Sequence, residues 1–237
     1  MALSNVLMLS QIAGYVIALI LSLCILIPMS LHHKDFNGQC LLFSNGTWQE
    51  KDGQFVADWA SGSNCMYTIA MGVITLLVSL IQIYRISISA YQGNDSPFIS
   101  VLIDVVISLG ISAMSFIAAL IITLGFIVWC QNMTQRFPSC EIAAGQDIMK
   151  SDNIDTVGFY IQLGTAQFGA WGSFACWVGL CVFAMLKLCR YHELENMRAS
   201  MFRERQRVVF DEDKKDSPSG SGVDETGDDK ILIANQE

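Results

Sequence analysis

FISVLIDVVISLGISAMSFIAALIITLGFIVW, residues Phe98–Trp129, carries one charged side chain, Asp104. About 20 apolar residues let a helix cross the hydrocarbon of a bilayer. Backbone groups in lipid are satisfied only in a helix or a closed barrel. The stretch lacks the strict alternation of a barrel strand, so it reads as a membrane-spanning helix. Reading outward from it, residues 1–33, 59–84, 105–135 and 156–186 contain no Lys, Arg, Asp or Glu. The pattern predicts four spans, at about 6–31, 66–84, 98–129 and 159–188. Pro28, near the far end of the first, fits an exit point because proline breaks helix hydrogen bonding. The first run has no basic start and no small-residue cleavage site, and is longer than a signal core, so it is expected to be retained.

Composition agrees with the runs. The 237 residues are 52% hydrophobic and 15% charged, against about a quarter charged in soluble domains. A soluble globular enzyme is excluded, and the connections are too short for a separate catalytic domain. The expected organisation is a four-span membrane domain over 1–190, an amphipathic cytosolic segment over 191–210, and a disordered acidic tail over 211–237. In the middle segment Tyr191, Leu194, Met197, Met201 and Phe202 recur at helical spacing among Arg198, Arg203 and Arg205. Such a stripe could continue span four or lie on an anionic lipid surface. The tail has few apolar residues to bury.

Charge placement sets the topology. Lys187, Arg190, Arg198, Arg203, Arg205 and Arg207 follow span four, and Arg85 follows span two. By the positive-inside rule both termini and the short connection from Arg85 to Pro97 are cytosolic. The loops 32–65 and 130–158 are then outside or lumenal. They hold Cys40 and Cys65, and Cys130 and Cys140. An even set of loop cysteines suits disulfides on an oxidising side. Four cysteines allow three pairings; within-loop pairs are favoured because each loop is short and self-contained.

Within the first loop, Asn45-Gly46 sits between an apolar stretch and Thr47-Trp48. Asn-Gly supplies positive φ at both centres of a tight turn, so a β-hairpin is expected over about Gln39–Gln49, with a third short strand near Phe55–Trp59. Asn45-Gly46-Thr47 and Asn132-Met133-Thr134 are glycosylation sequons. Asn45 lies clear of the membrane and is the expected acceptor; Asn132 is close to the end of span three. His32, His33 and Asp35 lack a spaced third ligand, and the loop cysteines lack C-x-x-C spacing, so no metal is expected; these histidines read as headgroup-level polar residues.

Inside the spans, Asp104 is the one ionisable residue, and an intramembrane charge is a functional candidate by default. No intramembrane Lys, Arg or His offers it a partner. The reading favoured is that it bonds neighbouring helices near the interface; the other is that Asp104 and the span-four glutamines, Gln162 and Gln167, line a route. Thr165, Gly169 and Ser173 form a small-residue track that favours close helix packing. Cys189 follows span four beside Lys187 and Arg190, a setting for palmitoylation. No nucleophile elbow, phosphate loop or facing carboxylate pair occurs, so no catalysis and no cofactor are expected.

Several segments together carry a resemblance. Asp35-Phe36-x-Gly38-x-Cys40-Leu41-Leu42-Phe43-x-x-Gly46-x-Trp48, Gly125-Phe126-x-x-Trp129-Cys130, Ser139-Cys140-Glu141 and Ala166-Gln167-Phe168-Gly169-x-Trp171 resemble the transmembrane protein 179 family. The likeness runs in order from about residue 3 to residue 190 and does not extend into the tail. The family is similar to the broad claudin-like class. The resemblance implies an all-α four-helix membrane bundle topped by a small disulfide-pinned extracellular sheet. The class contains tight-junction strand formers and auxiliary subunits of channels and receptors. The claudin signature places Gly-Leu-Trp ahead of two cysteines; here Gly46-Thr47-Trp48 follows Cys40, which argues against a paracellular pore. The expectation is a non-enzymatic protein of the plasma membrane or a secretory-pathway membrane. Its partners would be the bilayer and another membrane protein, with no nucleic acid. A small channel or transporter, and a cell–cell adhesion component, are the alternatives.

Overall fold

A computed structural model describes residues 2–51, 53–92, 98–146, 154 and 156–215. Among them the order is α1 (Ala2–Asp35), β1 (Cys40–Trp48), β2 (Phe55–Ala60), α2 (Ser63–Gln92), α3 (Phe98–Met133) and α4 (Phe159–Lys215). All four helices are long and apolar enough to cross a membrane. Their exposed faces are apolar as well: Ile17, Ile20 and Ile27 on α1, Leu77 and Ile81 on α2, Leu109 and Leu124 on α3, Phe168 and Val182 on α4. In water each such side chain would forgo roughly 1.5–3 kcal/mol of burial; in hydrocarbon it forgoes nothing. The chain is a multi-pass membrane protein.

The chain divides into two compact units, Met1–Arg190 and Tyr191–Glu237. In the second, Leu194, Met197, Met201 and Phe202 are exposed on helix. Disorder is expected from Asp211, yet the helix runs through Lys215. The rest of the acidic tail lies outside the described residues.

Pro28 does not end α1, which continues to Asp35. Proline costs one backbone bond, and neighbouring helices make that tolerable in membrane helices. The helix ends where the backbone turns left-handed, at Asn37 (φ 51°) and Gly38 (φ 85°). Gly38 N donates to His33 O at 2.8 Å and Asn37 N to Lys34 O at 3.1 Å. These paired bonds satisfy the last carbonyls of α1.

The expected Asn45-Gly46 turn is overturned. Both residues lie inside β1, which pairs antiparallel with β2: Asn45 faces Asp58, Gly46 faces Ala57, Thr47 faces Val56 and Trp48 faces Phe55. The strand expected as a third, near Phe55–Trp59, is therefore the partner of the first. The turn lies further on, closed by Gln49 N donating to Gln54 O at 2.8 Å, with Gly53 at φ 67°. Gly46 is needed for space. A Cβ there would lie 2.4 Å from both the Phe55 ring and the Val56 carbonyl oxygen. Toward Cys40 the ladder is irregular, and Phe43 takes φ 65°. The buried Ser44 hydroxyl fills the gap, donating to Cys40 O at 2.6 Å and accepting from Ala60 N at 3.0 Å.

Two apolar cores result. One joins the sheet to the neighbouring helix ends through Met29, Phe36, Leu41, Leu42, Phe55, Trp129 and Phe159. The other, towards the opposite end, is built on Tyr15, Ala18, Ile111, Trp177 and Leu180. Gly125 lets Leu42 of β1 approach α3, where a Cβ would lie 2.8 Å from the Leu42 Cβ.

Candidate functional site

The sheet and the helix ends beneath it form a cap, held by three kinds of link. Two are covalent. Cys40 at the start of β1 is bonded to Cys65 in the first turn of α2, and Cys130 near the end of α3 is bonded to Cys140 in the connection that follows. The loops they close have sequence separations of 25 and 10. Chain-entropy arithmetic gives about 3 kcal/mol for each.

The second link is aromatic. Trp59 of β2 stacks on Trp129 of α3 at 6.5 Å, and Trp129 meets Phe55 edge-on at 5.5 Å and Phe159 of α4 at 6.3 Å. Trp48 of β1 packs on Phe55 at 5.1 Å and on Phe137 at 5.8 Å, with the Arg136 guanidinium over its ring at 5.3 Å. Phe36 reaches Trp59 at 6.2 Å. Rings from both strands and from the ends of α1, α3 and α4 thus interlock, and offset or edge-on pairs add about 0.5–1.5 kcal/mol beyond burial.

The third link is polar. Trp48 Nε1 donates to Asn132 O at 3.0 Å, Gln162 Nε2 to Asp35 Oδ2 at 2.8 Å, and Asn132 Nδ2 to Asn45 Oδ1 at 3.1 Å. His32 is buried against Phe36, ring centroids 4.3 Å apart. The solvent face of the sheet carries Asn45, Thr47, Val56 and Asp58, all exposed.

At the other end of the bundle a charge is closed off. Asp104 Oδ1 accepts from Arg85 Nη1 and from Gln82 Nε2, each at 2.9 Å. Arg85 Nη1 also donates to Gln82 Oε1 at 3.0 Å, and Nη2 donates to Ser100 Oγ. Asp104 thus has a basic partner, supplied from beyond the second apolar run. Helix α2 runs on to Gln92 rather than stopping near Tyr84, so Arg85 stays on the helix and faces α3 across the short connection. The pair is formally neutral and ties α2 to α3 as a favoured interface bond would. Gln167 does not join it: it is half-buried in α4, near the cap end.

The remaining sites divide. Gly169 and Ser173 are buried and Thr165 is exposed, so the track is not one continuous contact face. At Gly169 a Cβ would lie 3.0 Å from the Cys24 Cβ of α1, so this glycine serves packing inside the bundle. Cys189 is a free, exposed thiol. Among the described residues no group of three metal-ligating side chains occurs. Sequence reasoning missed the ring cluster and the Arg85–Asp104 pair. The pair had a signal, opposite charges on either side of a short connection between two spans.

The family model described as the transmembrane protein 179/179B claudin domain matches residues 7–209. No solved structure matches the chain. With most of its length matched, the chain belongs to that claudin-like membrane family. The match runs past Arg190, beyond the stretch over which the sequence motifs carry the resemblance.

Proposed function

We propose that this member of the family acts without catalysis, by binding another membrane protein and modulating it through the cap and the helix faces. Both termini lie in the cytosol and the cap lies outside or in the lumen, in accord with the Arg and Lys placement and with two disulfides at one end. The observation that carries the reading is the preformed cap. A small sheet is fixed to the helix ends by a disulfide, rings and polar links, and Val56 and Asp58 are exposed on it, as are Met66 of α2 and Ile142 of the α3–α4 connection. A surface ordered in advance loses little entropy on binding. Asp104 argues against the transport alternative, because its charge is already met by Arg85 and Gln82.

The test is purification of the full chain from native membranes in mild detergent, with quantitative mass spectrometry of what co-elutes. One other membrane protein at near-equal amount is expected. A homogeneous preparation without a partner, together with flux in reconstituted vesicles that Asp104→Asn abolishes, overturns the proposal in favour of transport. Self-association across opposed vesicles overturns it in favour of adhesion.

A further inference from the structure

Two of the three sequons of this chain, Asn45-Gly46-Thr47 and Asn132-Met133-Thr134, meet in space, and their carboxamides are used in opposite senses; the third, Asn94-Asp95-Ser96, lies in the short connection read as cytosolic. Asn132 commits its nitrogen: Nδ2 faces Asn45 Oδ1 at 3.1 Å, Val128 O at 3.2 Å and Ser44 O at 3.4 Å. It is half-buried in the last turn of α3, and its backbone carbonyl holds the Trp48 indole. Asn45 contributes its oxygen to that contact and is exposed, as is Thr47. Residues two apart on a strand project to the same face. The amide and hydroxyl of the first sequon therefore stand together on the solvent face of β1, beyond the end of α1, while the Cβ position of Gly46 is directed at Phe55.

From this division we infer that Asn45 is the N-glycan acceptor of the protein and that Asn132 is not. The inference rests on the reading that the cap faces the lumen during synthesis. In the transfer, Asn45 Nδ2 forms a C–N bond to the anomeric carbon of a lipid-pyrophosphate-linked oligosaccharide. The sugar–phosphate C–O bond breaks, the lipid pyrophosphate leaves with the electron pair, and the amide gives up one proton. The product keeps Oδ1, so the bond from Asn132 survives the modification. The same reaction at Asn132 would replace one of the two N–H groups now shared among three acceptors, and would set a sugar between α3 and β1. A glycan on Asn45 covers the sheet face shared with its cross-strand neighbour Asp58, and it directs a protein partner towards Met66 and Ile142.

The experiment expresses the full chain with a C-terminal tag in cells or microsomes, and reads gel mobility before and after peptide:N-glycosidase. A shift of one glycan is expected. Asn45→Gln and Thr47→Ala lose it, Thr47→Ser keeps it, and Asn132→Gln and Thr134→Ala leave it unchanged. A shift that survives Asn45→Gln, or that disappears with Thr134→Ala, overturns the inference. No shift, with the tag open to protease on intact microsomes, overturns the acceptor assignment alone. No shift with a protected tag overturns the outward cap as well.

Discussion

At the scale of single residues, two side chains act as plugs whose removal has a calculable cost. Ser44 supplies the donor and acceptor that the irregular ladder lacks. Ser44→Ala removes its bonds to Cys40 O and Ala60 N, and an unsatisfied buried group costs about 1–3 kcal/mol. A lower melting temperature in detergent is expected, and one unchanged from the wild type would show the hydroxyl to be dispensable. Arg85 does the same for a charge. Arg85→Gln strands Asp104 and is expected to cost about 1–2 kcal/mol, since hydrogen bonds to charged groups exceed neutral ones but the pair is partly exposed. Asp104→Asn keeps an acceptor for Gln82 and should cost less. The Arg85→Gln/Asp104→Asn double variant should recover part of the loss; strict additivity of the two melting shifts would deny the coupling. The sequence announced Asp104 as unusual, because a lone acid in an apolar run is visible by eye. It concealed Arg85, because α2 ends later than its apolar run does.

At the scale of elements, the helices were legible and the strand register was not. Helix length and apolarity are summed over many residues, so the four spans survive errors at their ends. The turn expectation rests on two residues, Asn45-Gly46, whose local preference loses to tertiary packing. Gly46 was required under Phe55 and Val56, and Gly53 supplied the positive φ. Gly46→Ala should therefore destabilise the cap by about 1–3 kcal/mol through overpacking, read as faster proteolysis of the loop. Gly62→Ala, where a Cβ meets open space, is the control and should be silent. Between helices the small-residue track separates in the same way. Gly169→Val should loosen α1 from α4 and lower the melting temperature, whereas the exposed Thr165→Val should leave it within error. Equal effects would mean that both positions pack.

At the scale of the whole molecule, the architecture puts nearly all its fixed detail at one end. Apolar helix faces meet lipid, a neutral polar lock holds one end of the bundle, and the cap at the other joins two disulfides to a chain of rings. Cys40→Ala/Cys65→Ala should cost about 3 kcal/mol and free the sheet from α2, seen as new cleavage between Cys40 and Cys65 under limited proteolysis. Unchanged cleavage would show that the rings alone suffice. Resemblance made the bundle and its sheet legible; the ring cluster was not, because its members lie far apart in sequence and meet only in the fold.

The central claim is that the cap is a preformed surface for another membrane protein. Its most direct test is photocrosslinking in native membranes from single probes placed at Val56, Met66 and Ile142. One dominant adduct with another integral membrane protein is predicted from Met66 or Ile142, and it should disappear in Cys40→Ala/Cys65→Ala. Adducts with lipid alone from all three positions, or none at all, would contradict the account.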